Sequence, residues 1–267
     1  MTKTYVAEVL GSAGSPVVLM PGGAAPSRTF FPHLEKALLA DHRVVLVDRQ
    51  GTGRAVELGA ASLPSGSAAY AEVLRELDAG PALVVGQSLG GAVALQLAMD
   101  HPELVRGLVL LDPTPVNAPK MLRAMVPVAR GLAAVCGVPV LGPRLEAFVV
   151  RHTGKVADND DVRAAIEVMI ESRGLYWTGK AVGTLPADGA ALTKRLTALD
   201  VPVVLLTADR KATHQSRRAH DELVRILGGR VVTWPGAVHA EHFREPEKVT
   251  ALVQSVLAEL RGQAISD

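Results

Sequence analysis

The chain is short of the residues that would tie it together covalently or around a metal. One residue of 267 is a cysteine, Cys136. That excludes an internal disulfide and any cysteine-based metal cluster, and it suits a reducing compartment. An excess of either charge is also missing: 28 Lys and Arg against 27 Asp and Glu leave a formal charge of +1. Such a balance gives no electrostatic case for nucleic acid or for an anionic membrane surface. Nor is there the unbroken run of about 20 apolar residues that a spanning helix needs. The longest apolar stretch, Met121 to Leu141, is broken by Pro127, Arg130 and Pro139, and is expected to form a buried or pocket-lining face. The first ten residues carry Lys3 and Glu8 and alternate like a strand, unlike a secretory leader, so a cytoplasmic protein is expected. No internal repeat stands out. Gly51-x-Gly53 lacks the third glycine of a dinucleotide fingerprint, and no cofactor or metal is expected.

What remains is an ordinary globular composition, 48% hydrophobic and 21% charged, on a chain long enough to bury a sizeable core. Apolar strands alternate with helical stretches up to Asp112. Strands are expected at 17–20, 43–48, 82–85 and 108–111, and helices at 29–40, 67–77 and 89–99. Continuous apolar strands separated by helices indicate a mostly parallel central sheet covered by helices on both faces, an α/β fold. From Pro113 to about Leu199 the pattern is helical without a convincing strand. Asp158-Asn159-Asp160-Asp161 caps a helix expected over 162–172. The alternation then resumes with strands at 203–206 and 230–234 and helices at 217–227 and 246–261. Residues 1–112 and 200–267 therefore read as one core domain, interrupted by a helical insertion at 113–199.

The strongest chemical signal is Gly86-Gln87-Ser88-Leu89-Gly90, set between an apolar strand and a helix. This is the G-x-S-x-G nucleophile elbow in its required context. A serine projected from a sharp strand-to-helix turn needs glycines on both sides so that strand and helix can approach. It then lies at a helix N-terminus, where free N–H groups favour developing negative charge.

With this motif in this setting the chain resembles the α/β-hydrolases over nearly its whole length. Val17 to Gly23 is similar to the family's first strand and oxyanion loop, with Pro21-Gly22 where the family carries His-Gly. Asp48 to Gly53 resembles the loop after the next strand, and is expected to stabilise the loop scaffold. Residues 113–199 match the position of a cap, and Gly236-Ala237-Val238-His239 resembles the histidine loop. The resemblance implies Ser88 as nucleophile, His239 as its base, and Gly23 and Leu89 as backbone donors to an oxyanion. It also implies an acid to orient the histidine, for which two aspartates respect the order Ser…Asp…His. Asp209 follows the strand after the insertion, but the family's usual acid position, counted from Pro202, falls on Lys211. Asp112 falls where some members, notably certain haloalkane dehalogenases, carry their acid after the earlier strand. Asp112 is preferred and Asp209 stays open. His242 is expected to be structural or at the site's rim, and Cys136 a buried, inert thiol.

The expected activity is cleavage of a carboxylic ester, thioester or lactone of a small hydrophobic substrate through an acyl-serine. Carbon–carbon hydrolysis, acyl transfer and non-catalytic binding of a small molecule are the alternatives on the same fold. Serine in place of an aspartate nucleophile argues against dehalogenase and epoxide hydrolase chemistry. The insertion is rich in Leu, Val, Met and Ala, with Phe148, Tyr176 and Trp177 its only aromatics, which suits an apolar substrate. Arg123, Arg130, Arg144, Arg151 and Lys155 are spread along it and read first as a solvated helix surface. Neither nucleic acid nor membrane is expected as a partner, and the oligomeric state is not legible.

Overall fold

The structure, a computed structural model, describes residues 3–59, 62–78, 80–152 and 159–266. Met1, Lys155 and Asp158, which enter the expectations above, lie outside the described residues. Seven strands form one sheet: β1 (Val6–Leu10), β2 (Pro16–Met20), β3 (Arg43–Asp48), β4 (Ala82–Gln87), β5 (Val105–Leu111), β6 (Val203–Leu206) and β7 (Arg230–Val232). Their order is β1-β3-β2-β4-β5-β6-β7. Only β1 runs antiparallel to its neighbour. The expected fold class is the one observed.

Alternation along each strand divides the core in two. Val18, Met20, Val45, Val47, Val84, Leu108 and Leu110 face one side. There they pack on helices α2 (Leu63–Glu76) and α3 (Leu89–Asp100) and on α9 (Gln215–Leu227). Val17, Leu19, Val44, Leu46, Leu83, Val85 and Val109 face the other side, against α1 (Pro32–Leu38) and α11 (Pro246–Ser266). The central strands are buried on both faces, which is why they read as unbroken apolar runs.

Several element ends differ from the expected ones for local reasons. Helix α1 begins only at Pro32, because Thr29 sits in the left-handed region at φ 67°. Helix α2 begins four residues earlier than expected, because Ser62 and Ser65 exchange hydrogen bonds in a capping box. The cap of α6 (Asp160–Glu171) is Asn159, whose side chain accepts from Val162 N–H at 2.9 Å.

Between β5 and β6 the described chain is helical: α4 (Pro119–Cys136), α5 (Leu141–His152), α6, α7 (Gly174–Ala181) and α8 (Leu185–Thr193). The buried Glu146 carboxylate binds α5 to the start of α7, accepting from Leu175 N–H at 2.6 Å and from Arg173 at 2.8 Å. At the base of the insertion Thr193 donates to the Val116 carbonyl at 2.9 Å, and Asp188 accepts the Leu63 N–H of α2 at 3.0 Å. The apolar stretch Met121 to Leu141, expected to form a buried or pocket-lining face, does so in part: Leu122, Val126, Ala133 and Cys136 are buried and Met125 lines the cavity beside Ser88, while Val128, Leu132, Val135, Val138, Val140 and Leu141 are exposed. Cys136 itself is buried, as expected.

After β7 the chain forms the short helix α10 (Glu241–Arg244). His242 is buried there against Phe243, Phe30 and Phe31, with ring centroids at 4.1, 4.6 and 5.3 Å. Neither ring nitrogen has a hydrogen-bond partner. Burial, helped by the nearby His239, pushes its pKa down from 6.5 to about 3. Between these two values the unfolded chain holds a proton that the folded chain does not, so stability falls as pH drops below 6.5. His242→Phe removes this linkage. Denaturant melts should show the variant gaining on wild type by about 2 kcal/mol between pH 8 and pH 5. Equal pH slopes for the two proteins would show that the fold accepts a charged His242.

Candidate active site

The turn from β4 into α3 is held in a conformation that side chains rarely adopt. Ser88 has φ 50° and ψ −117°, a strain on the order of 1–3 kcal/mol that the surroundings must offset. Two bonds fix it: Ser88 N–H donates to Leu111 C=O at 3.1 Å, and Thr114 N–H donates to Ser88 C=O at 2.8 Å. The flanking glycines are needed for close approach. A Cβ on Gly86 would lie 2.7 Å from the Gly90 carbonyl oxygen, and one on Gly90 would meet the Met20 backbone. Both contacts are too short for any real side chain.

The loop after β7 brings His239 over this turn. Its Nε2 lies 3.1 Å from Ser88 Oγ and its Nδ1 lies 2.6 Å from Asp112 Oδ2. Asp112 is an ionised acceptor, so Nδ1 carries the proton and Nε2 is left to accept from the serine hydroxyl. Gln87 Nε2 donates to the His239 carbonyl at 3.0 Å and steadies the loop from below. Of the two candidate acids, the structure brings only Asp112 to the imidazole. Asp209 is exposed and instead accepts Gly236 N–H at 2.8 Å, while its own N–H donates to Ala237 C=O at 2.8 Å. It braces the backbone of the histidine loop.

Asp112 is buried at the end of β5 and gathers donors from β6 and beyond. Arg210 grips it with two hydrogen bonds, at 2.6 and 2.7 Å, and Ala208 N–H adds a third at 3.0 Å. Burial alone would raise the pKa of this carboxyl. The hydrogen bonds from Arg210 and His239 outweigh it and hold the carboxyl well below the usual carboxylate range. Behind it the buried His220 sits 2.8 Å from the Pro113 carbonyl oxygen and 2.9 Å from Thr207 Oγ1. The arrangement sets a hydroxyl, an imidazole and a charged carboxylate in line, the order that a nucleophile, its base and an orienting group require.

Facing the serine is the loop after β2. Gly23 has φ 55°, and a Cβ on Gly22 would touch Ser88 Cβ at 3.0 Å. Leu89 N–H, at the first helical position, has no acceptor within its helix. The loop is held from two sides. The fully buried Arg49 donates to the Gly23 carbonyl at 3.0 Å. Thr178, on α7, accepts Ala24 N–H at 2.9 Å and itself donates to Gly174 C=O at 2.6 Å. Asp48 supports the neighbouring turn, accepting from Ser27 N–H and Arg54 Nε at 2.6 Å each. Sequence reasoning missed Arg210 and Thr178. Arg210 directly follows the rejected Asp209, so a search for cations beside acids would have found it. Thr178 lies 154 residues from its partner and left no local signal. Above Ser88 opens a cavity of about 280 Å³, lined by Phe30, Met125, Val150, Met169, Val182 and Leu185 among others.

Comparison with known proteins identifies the family. The family model described as the alpha/beta hydrolase fold matches residues 15–246. Esterase Rv0045c of Mycobacterium tuberculosis is 30% identical over 265 residues, 92% of this chain and 87% of that protein. BpoC of the same organism, named as a non-heme bromoperoxidase, is 28% identical over 261 residues, 93% of this chain and 96% of its own. Its crystal structure superposes with a TM-score of 0.70, covering 97% of each chain at 24% identity. RutD of Variovorax paradoxus, named as a carbamate hydrolase, is 40% identical over 112 residues, which span 39% of this chain and 41% of that protein. The chain belongs to the α/β hydrolase fold family.

Proposed function

We propose that the chain is a serine hydrolase that cleaves a carboxylic ester, thioester or lactone of a small hydrophobic substrate through an acyl-serine. The observation that carries this reading is the unbroken chain Ser88–His239–Asp112 opening into an apolar cavity. Ser88 Oγ attacks the carbonyl carbon as its proton passes to His239 Nε2. The imidazolium is stabilised by Asp112, whose charge Arg210 keeps in place. The oxyanion accepts from Gly23 N–H and Leu89 N–H. His239 then returns the proton to the leaving oxygen or sulfur, the acyl-serine forms, and a water deprotonated by His239 releases the acid. The half-exposed imidazole is open to that water. Residues 113–199 act in this reading as a lid on the core formed by 1–112 and 200–267. Met125, Val150 and Leu185 from the lid line the cavity, and Thr178 holds the oxyanion loop.

The first test is labelling with a fluorophosphonate, read by intact mass, beside turnover of acyl esters of increasing chain length. Wild type should label stoichiometrically and Ser88→Ala not at all. Asp112→Asn should slow turnover by about 10³–10⁴-fold, and Asp209→Asn only a few-fold. Ligand binding without labelling or product would make the chain a binding protein. Equal losses in the two asparagine variants would overturn Asp112 as the acid.

Thr178 is a positioning residue in the same scheme. Thr178→Val removes the acceptor for Ala24 N–H while keeping the side-chain shape. The expected result is a kcat lower by about tenfold with KM little changed, because the loop acts on charge that develops only in the transition state. Thr178→Ser should restore most of the rate. A change confined to KM would place Thr178 in substrate binding alone.

A further inference from the structure

The apolar stretch at 121–141 is only partly absorbed by the core and the cavity. Of the eleven large apolar residues exposed on the described surface, eight lie between residues 125 and 148. Met125, Val128, Leu132 and Val135 recur at the spacing of one helix face, beside the face through which Leu122, Val126 and Cys136 are buried. The ridge continues over the turn, where Val140 and Leu141 are 68% and 59% exposed. A patch this concentrated marks an interaction surface, whereas scattered exposed residues do not.

Charge identifies what the ridge meets. From Pro119 to His152 the one carboxylate is Glu146, which is buried and paired with Arg173. The same stretch exposes Lys120, Arg123, Arg130 and Arg144, none of which pairs with a carboxylate among the described residues. The whole-chain balance of +1 conceals this local excess. A second copy docked about a two-fold axis would set these cations against themselves. A bilayer with anionic lipids offers hydrocarbon to the ridge and negative headgroups to its flanks. No described helix is long and apolar enough to cross a membrane, so α4 would lie in the plane of the surface.

We propose that the α4–α5 hairpin is a docking surface for an anionic lipid bilayer. Met125 belongs both to the ridge and to the cavity wall, and Val150 of α5 lines the same cavity. Docking therefore sets one wall of the cavity against the acyl-chain region. Where the hydrolase reading also holds, the substrate is a lipophilic ester that partitions into the bilayer.

The test is co-sedimentation of the full chain with vesicles of phosphatidylcholine alone and of phosphatidylcholine mixed with phosphatidylglycerol, beside turnover of a short soluble ester. Wild type should bind the mixed vesicles preferentially, and added salt should weaken binding. Val128→Glu combined with Val135→Glu should lower vesicle affinity at least about tenfold, and Arg123→Gln with Arg130→Gln by about fivefold per cation removed. None of these four residues lines the cavity, so soluble-ester turnover should persist in both variants and reports on the fold. Absence of sedimentation with either vesicle, or wild-type binding by the double glutamate variant, overturns the proposal. So does a dimer in light scattering that the glutamates dissociate, which would assign the ridge to a second copy. A chain that sediments but never turns over ester would retain the docking surface and sink the hydrolase reading.

Discussion

One buried carboxylate organises the site. Asp112 stands at the end of β5 and binds the end of β6 through Ala208, the following loop through Arg210, and the histidine loop through His239. A lone buried carboxylate would take up a proton, and a protonated acid would orient a histidine poorly. Arg210 opposes this by supplying a fixed positive charge, which with the His239 hydrogen bond holds the carboxyl well below the usual carboxylate range. The same carboxylate therefore ties together the segments that follow β5, β6 and β7.

A second constraint is the closeness of backbones around Ser88. The first strand loop, the nucleophile turn and the start of α3 approach until a methyl group has no room at Gly86 or Gly90. The loop after β2 that faces Ser88 takes further supports from outside this contact. Arg49 from below and Thr178 from the insertion supply them. The geometry that would stabilise an oxyanion is thus shared between the sheet and the helices above it.

Much of this was legible in the sequence, because the signals were local. The elbow glycines, the apolar strands and the histidine after the last strand each announce themselves within a few residues. Asp112 was favoured over Asp209 on the positions that the family resemblance implied, and the structure brings Asp112 to the imidazole. Arg210, Thr178 and Thr207 meet their partners across 95 residues or more of chain, so no local pattern announces those contacts, and only the place of Arg210 beside Asp209 offered a hint. The exposed part of α4 was not legible for another reason. Periodicity separates inside from outside only where the outer face is polar. On α4 both the buried face and the exposed face next to it are apolar, so the pattern reports apolar character without direction.

The base of the insertion has a mechanical consequence. Its entry and exit are stitched together by Thr193 on Val116, and α8 is pinned to the start of α2 through Asp188. Helix α6 is anchored a second time, by Val162, Ala165 and Ile166 in the core cluster beside α1 and by Asp161 on Lys36 at 2.6 Å, so the helices between β5 and β6 are fastened to the sheet domain at their root and again at α6.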